Sequence, residues 1–240
     1  MPSISIAGWL HIGFFGLMVP WLAWRSKGLL HEYSALPRST HFVRVISQLL
    51  LFLVASLAVA WVEDITLWPA WRLRAVPLVL ATILVVVGLV SMRPIWRRSV
   101  ERRDLKARFF MPTTQRERRL WAGLSVAAGV SEEVTYRGVL FALLTIVTGS
   151  AWVAAGLSAL AFGLSHAVQG WKAAAAVTVI ALLLQGLVAL DGTLYPAIAA
   201  HAMYDWLAGL EHGRLGSELG YDRPVGSGEW EVGSGVQELS

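Results

Sequence analysis

Apolar stretches at about 5–24, 45–62, 75–92, 120–148, 151–170, 173–190 and 193–210 leave this chain little choice of solvent. A helix needs roughly 20 residues to cross the hydrocarbon core of a bilayer, and runs that fall short are extended by their flanks. The pattern predicts an all-α, polytopic membrane helix bundle with about seven transmembrane helices. Composition agrees: only 15% of the residues are charged, against about 25% in a soluble domain. Trp9, Trp24, Trp61, Trp71, Trp121, Trp152 and Trp171 lie near the ends of apolar runs, where indole rings favour the membrane interface. There is no cysteine, which excludes disulfides, thiolate metal ligands and a cysteine nucleophile.

The net charge of +4 raises the question of a nucleic-acid partner, and its distribution answers against one. Ten of the 20 basic residues fall between Arg93 and Arg119, in a connection flanked by apolar runs. That is the signature of a cytoplasmic loop under the positive-inside rule, with affinity for anionic lipid as a by-product. Lys172 marks a second basic turn, whereas 148–150 and 191–192 carry no basic residue. Alternation then puts the N-terminus outside and the C-terminus in the cytoplasm. The first apolar run lacks a basic flank and a small-residue cleavage site, so it reads as a span rather than a signal peptide. The style of the chain suits a bacterial inner membrane. A single transmembrane domain is expected over 1–211, and the Gly- and Ser-rich stretch 212–240 reads as a flexible cytoplasmic tail.

Ionisable residues are costly inside a membrane and mark functional sites by default. Here they gather in the last four apolar runs, at three places. "EEVTYR" brings Glu132, Glu133 and Arg137, and the i,i+4 spacing of Glu133 and Arg137 lets that pair share a helix face. Glu132 is rotated by about 100° and left for another task. "FGLSH" ends in His166, and "HAMYD" sets His201 and Asp205 at i,i+4. Each feature alone has a structural reading: a helix-end histidine, a locking ion pair, a buried hydrogen-bonded pair. Their clustering favours a shared site. A carboxylate in a partly wet apolar cavity suits proton abstraction from water. Imidazoles can hold that water, bind a metal or donate to an oxyanion. Asp205 can orient His201 by accepting its second N–H. Ser131 and Ser165 lack a base–nucleophile relation and no G-x-S-x-G or H-E-x-x-H motif is present, so activated water is favoured over an acyl-enzyme.

These three motifs, E-E-x-x-x-R, F-x-x-x-H with Phe162 and His166, and H-x-x-x-N/D, resemble in order and spacing those of the CPBP family of intramembrane proteases. That family includes CAAX prenyl endopeptidases and bacteriocin-processing, Abi-like relatives. The resemblance covers a motif-bearing core of about 115–210 and implies an endopeptidase that hydrolyses a bond near the end of a membrane-associated protein or peptide. It implies Glu132 as general base, His166 as its partner on the water, and His201 with Asp205 completing the site. Glu133, Arg137 and Phe162 would support it. Asp205 stands where many members have Asn, and an anionic group donates nothing to an oxyanion, which favours an orienting or metal-binding role. A divalent metal such as zinc, held by His166 and His201 with Glu132 or Asp205, and a metal-free glutamate mechanism both stay open. So does the substrate: a prenylated CAAX tail, a bacteriocin precursor or a C-terminal sorting tag. The rival readings are a non-catalytic scaffold or immunity protein of the same fold and a proton-coupled transporter, though no inverted repeat is visible.

Overall fold

The computed structural model describes residues 4–26, 36–68 and 74–219. Among them the chain forms eight continuous helices and is otherwise turn and loop. These are α1 (Ile6–Arg25), α2 (Arg38–Val62), α3 (Ala75–Glu101), the short α4 (Leu105–Phe109), α5 (115–148), α6 (Ala151–Ser165), α7 (Trp171–Asp191) and α8 (Tyr195–Glu218). Two stretches widen into π-helix, Phe14–Met18 within α1 and Glu133–Leu140 within α5.

Four helices, α1, α2, α3 and α7, are long and apolar enough to cross a membrane, and the protein is a multi-pass membrane protein. The expected count of about seven is therefore matched at four by length and composition. The shortfall has a physical cause. α5 carries Glu132, Glu133 and Arg137 mid-helix, α8 carries His201, Asp205, Glu211 and His212, and α6 is an apolar helix of 15 residues. Of the helices that bear the polar motifs, α5 and α8 lose apolar character and α6 falls short in length.

α5 is the hub. α2 packs along its first half, α6 against its second, and α8 crosses it while also lying on α3. α7 packs on α6, and the second half of α1 covers α6 from the other side. Small residues allow the closest approach: a Cβ on Gly129 would stand 2.8 Å from the Ala202 Cβ and 3.0 Å from the Ile198 carbonyl. Without a hydrophobic drive between helices in lipid, such close contact is what association depends on. Gly129 thus sets the α5–α8 crossing one turn from Glu132 and beside His201.

α8 runs through Glu218, seven residues beyond the domain end drawn at 211, with His212, Leu215 and Gly216 buried. Met111 and Pro112, just after α4, pack on Gly216 and Gly213 and hold this last stretch to the bundle. Residues 220–240 of the expected tail, and Trp71, lie outside the described residues. Trp9, Trp24, Trp61, Trp152 and Trp171 are exposed, but Trp121 is buried, its indole N–H donating 2.9 Å to the Asp205 carbonyl. It is a tertiary tie between α5 and α8, not an interface anchor.

Candidate active site

α5 begins with a capping box: the Thr114 hydroxyl accepts from the Glu117 amide, and Glu117 accepts from the Thr114 amide. Arg38 of α2 braces this start, pairing with Glu117 at 3.1 Å and donating 2.6 Å to the Thr113 hydroxyl. From there the helix reaches Glu132 and widens at Glu133. A π stretch strains the backbone ladder and tends to occur at functional sites. Here neighbouring helices support it. Ser158 of α6 donates 2.7 Å to the Tyr136 carbonyl, and Ser56 of α2 meets the Thr135 hydroxyl at 2.8 Å.

Inside this turn Glu133 is fully buried. Its Oε1 faces Arg137 Nη1 at 3.1 Å and His201 Nδ1 at 2.7 Å. The pairing read from the i,i+4 spacing is present. The Arg137 guanidinium also lies 4.3 Å from the Phe162 ring centroid, a cation–π contact that suits a buried cation. Because Glu133 accepts from His201 Nδ1, the other ring nitrogen is turned towards Glu132 Oε2 at 3.6 Å and Asp205 Oδ2 at 3.5 Å. The Glu132 and Asp205 side chains keep 22% and 29% of their exposure while that of Glu133 keeps none. Only the first two can meet water. Burial thus separates a sealed carboxylate, Glu133, from a partly exposed one, Glu132.

His166 caps the C-terminal end of α6. Its Nδ1 sits 2.9 Å from the Phe162 carbonyl, an acceptor, so Nδ1 carries the proton and Nε2 is left as a lone-pair donor. His166 interacts electrostatically with Glu132, as do His201, Asp205 and Glu133. Phe162 sits among them, its ring centroid 4.7 Å from that of His166 and 6.1 Å from that of His201. Residues from α5, α6 and α8 thus meet around His201 and Phe162.

Residues 115–207 match the family model described as Type II CAAX prenyl endopeptidase Rce1-like. This stretch is an Rce1-like domain. No curated protein and no solved structure matches the chain. The Rce1-like domain starts with α5, ends two residues beyond Asp205 and contains every residue named in the three motifs, so the chain carries the domain of a peptidase family.

Two particulars of the site lay beyond the sequence within the Rce1-like domain. The orienting contact on His201 Nδ1 comes from Glu133, whereas Asp205 shares the Nε2 side with Glu132. A carboxylate has acceptor sites enough to serve both Arg137 and His201, which the spacing argument overlooked by treating Glu133 as used up. As for a metal, no group of three or more His, Asp or Glu side chains is arranged to hold an ion among the described residues. The sequence reading also missed the supporting contacts from Ser56, Ser158 and Tyr136. Their only signal was polar groups placed within otherwise apolar runs.

Proposed function

We propose that this protein is an intramembrane endopeptidase that hydrolyses a peptide bond near the end of a membrane-associated protein or peptide. The observation that carries the reading is the approach of Glu132 Oε2 to His201 Nε2 at 3.6 Å, with Glu132 partly exposed and Glu133 sealed, inside a domain of a peptidase family. Glu132 accepts a proton from water while the Nε2 lone pair of His166 holds that water's other hydrogen. The hydroxide formed attacks the scissile carbonyl. His201 acts as imidazolium among three carboxylates: Nδ1–H serves Glu133, and Nε2–H donates to the developing oxyanion. Asp205 keeps that N–H aimed into the site. When the carbon–nitrogen bond breaks, Glu132 returns its proton to the leaving amine. No step in this sequence uses a metal, so chelation should leave cleavage unchanged. The basic connection 93–119 and the C-terminus are assigned to the cytoplasmic side of a bacterial inner membrane.

The test is Glu132→Gln, which keeps size and removes the base. A membrane-anchored peptide reporter, chosen by comparing uncleaved membrane-associated precursors in cells carrying wild type and variant, should no longer be cut. Insertion and protein level should be preserved. Cleavage by the variant at the wild-type rate would falsify the assignment.

A further inference from the structure

Glu132 and His166 must face one water, yet they stand on different helices, and something must set the gap between them. Tyr136 is placed to do so. Its backbone carbonyl accepts from Ser158 at 2.7 Å, and its phenol oxygen lies 3.0 Å from the Ser165 hydroxyl. Between these anchors its ring meets Phe162 edge-on, centroids 5.0 Å apart. Ser158, Phe162 and Ser165 recur at i, i+4 and i+7, so they form one face of α6. The tyrosine lies along that face, held at both ends.

Proton accounting gives the latch a direction. Ser165 has one hydroxyl proton, and it goes to the Ala161 carbonyl at 2.9 Å. The phenol must therefore be the donor to Ser165. Tyr136 is four residues after Glu132, and Ser165 immediately precedes His166. A bond between these two side chains thus couples the α5 turn that carries the base to the end of α6 that carries its histidine.

We propose that the Tyr136–Ser165 hydrogen bond is a positioning latch that fixes the spacing of Glu132 and His166 for catalysis. Tyr136 is buried and acts through the two helices. The proposal rests on the peptidase reading for its kinetic readout, so the test includes a second readout that needs no activity.

Tyr136→Phe removes a single oxygen and keeps the ring packing. It should lower kcat about tenfold with KM unchanged, the loss expected for one hydrogen bond of about 1.4 kcal/mol. Ser165→Ala should do the same, Ser165→Thr should restore kcat, and the double variant should be no worse than the poorer single. Since the chain has no cysteine, labels can be attached at Val126→Cys on α5 and Leu160→Cys on α6, both on exposed faces. The distance distribution between them should broaden in Tyr136→Phe. Full kcat in Tyr136→Phe with an unchanged distribution overturns the latch, as do additive losses in the double variant. If the wild type cleaves no reporter yet the distribution still broadens, the latch stands and the peptidase assignment fails.

Discussion

α2 and α3 on one side and α5 on the other invert the usual relation between polarity and burial. Leu51, Val54 and Val90 are 65%, 63% and 69% exposed, whereas Glu133 is 0%, Ser131 1% and Thr135 1% exposed. In water that arrangement would be unstable. In lipid, apolar side chains gain nothing by leaving the solvent, so association falls to close packing and hydrogen bonds. The interior of this bundle accordingly holds its polar groups: Ser131 donates 2.7 Å to the Leu49 carbonyl, Ser56 meets Thr135, and Glu133 meets Arg137 and His201. The difference teaches where this chain can tolerate change. The buried polar groups are concentrated in the seam of α5, α6 and α8, and the apolar periphery is a lipid-facing coat.

The sharpest way to break that contrast is Arg137→Ala. It takes the guanidinium from the buried Glu133 carboxylate and leaves His201 to hold it, and removal of one partner of a buried pair typically costs about 3–5 kcal/mol. Unfolding in a denaturing detergent titration should shift by that amount, and cleavage should disappear with the fold. Glu132→Gln offers the comparison within the same turn. It should abolish cleavage while leaving the unfolding midpoint close to wild type, because Glu132 is partly exposed and His201 keeps Glu133 and Asp205 as partners. Equal destabilisation by the two would mean that Glu132 is structural.

A smaller effect should come from Gly129→Val. The added side chain meets Ala202 and the Ile198 carbonyl, and overpacking of this kind costs about 1–3 kcal/mol. Its second consequence is more telling. Ala202 adjoins His201, so pushing α8 away from α5 should draw His201 from Glu132 and lower kcat more than stability alone explains. A variant that loses stability and keeps its kcat would show that the crossing does not set the site.

Much of this was legible in advance, for reasons that differ between regions. The first span is expected at about 5–24 and the helix runs Ile6–Arg25, because a long apolar run that ends at a charge is a membrane signal needing no partner. The Glu133–Arg137 pair was legible because four residues make a shared face in any α-helical register. The π-helical turn was not, since its extra residue is stabilised by Ser158 and Ser56 on two other helices. Nor was the choice of nitrogen on His201, which depends on Glu133 arriving across a helix crossing. Trp121 misled for the same reason. Its place near the end of an apolar run suggests an interface, but Gly209 on α8 leaves room for the indole to pack inside. α3 extends as helix to Glu101, well past the apolar run that ends near Met92, because a helix need not stop where the lipid does.

The smallest expected effect tests the periphery. Leu51→Ala removes most of a side chain from α2, and in the core of a soluble protein such a truncation costs about 2–5 kcal/mol. Leu51 faces outward, and the acyl chains that take the vacated space are as apolar as the side chain they replace. No cavity forms and no polar group is exposed, so unfolding should shift by no more than about 0.5 kcal/mol and cleavage should not change. Leu143, fully buried in the second half of α5, gives the matched control, since Leu143→Ala opens a void that lipid cannot reach. A large loss at Leu51 would mean that this face is covered by protein, and α2 would then belong to the interior with α5.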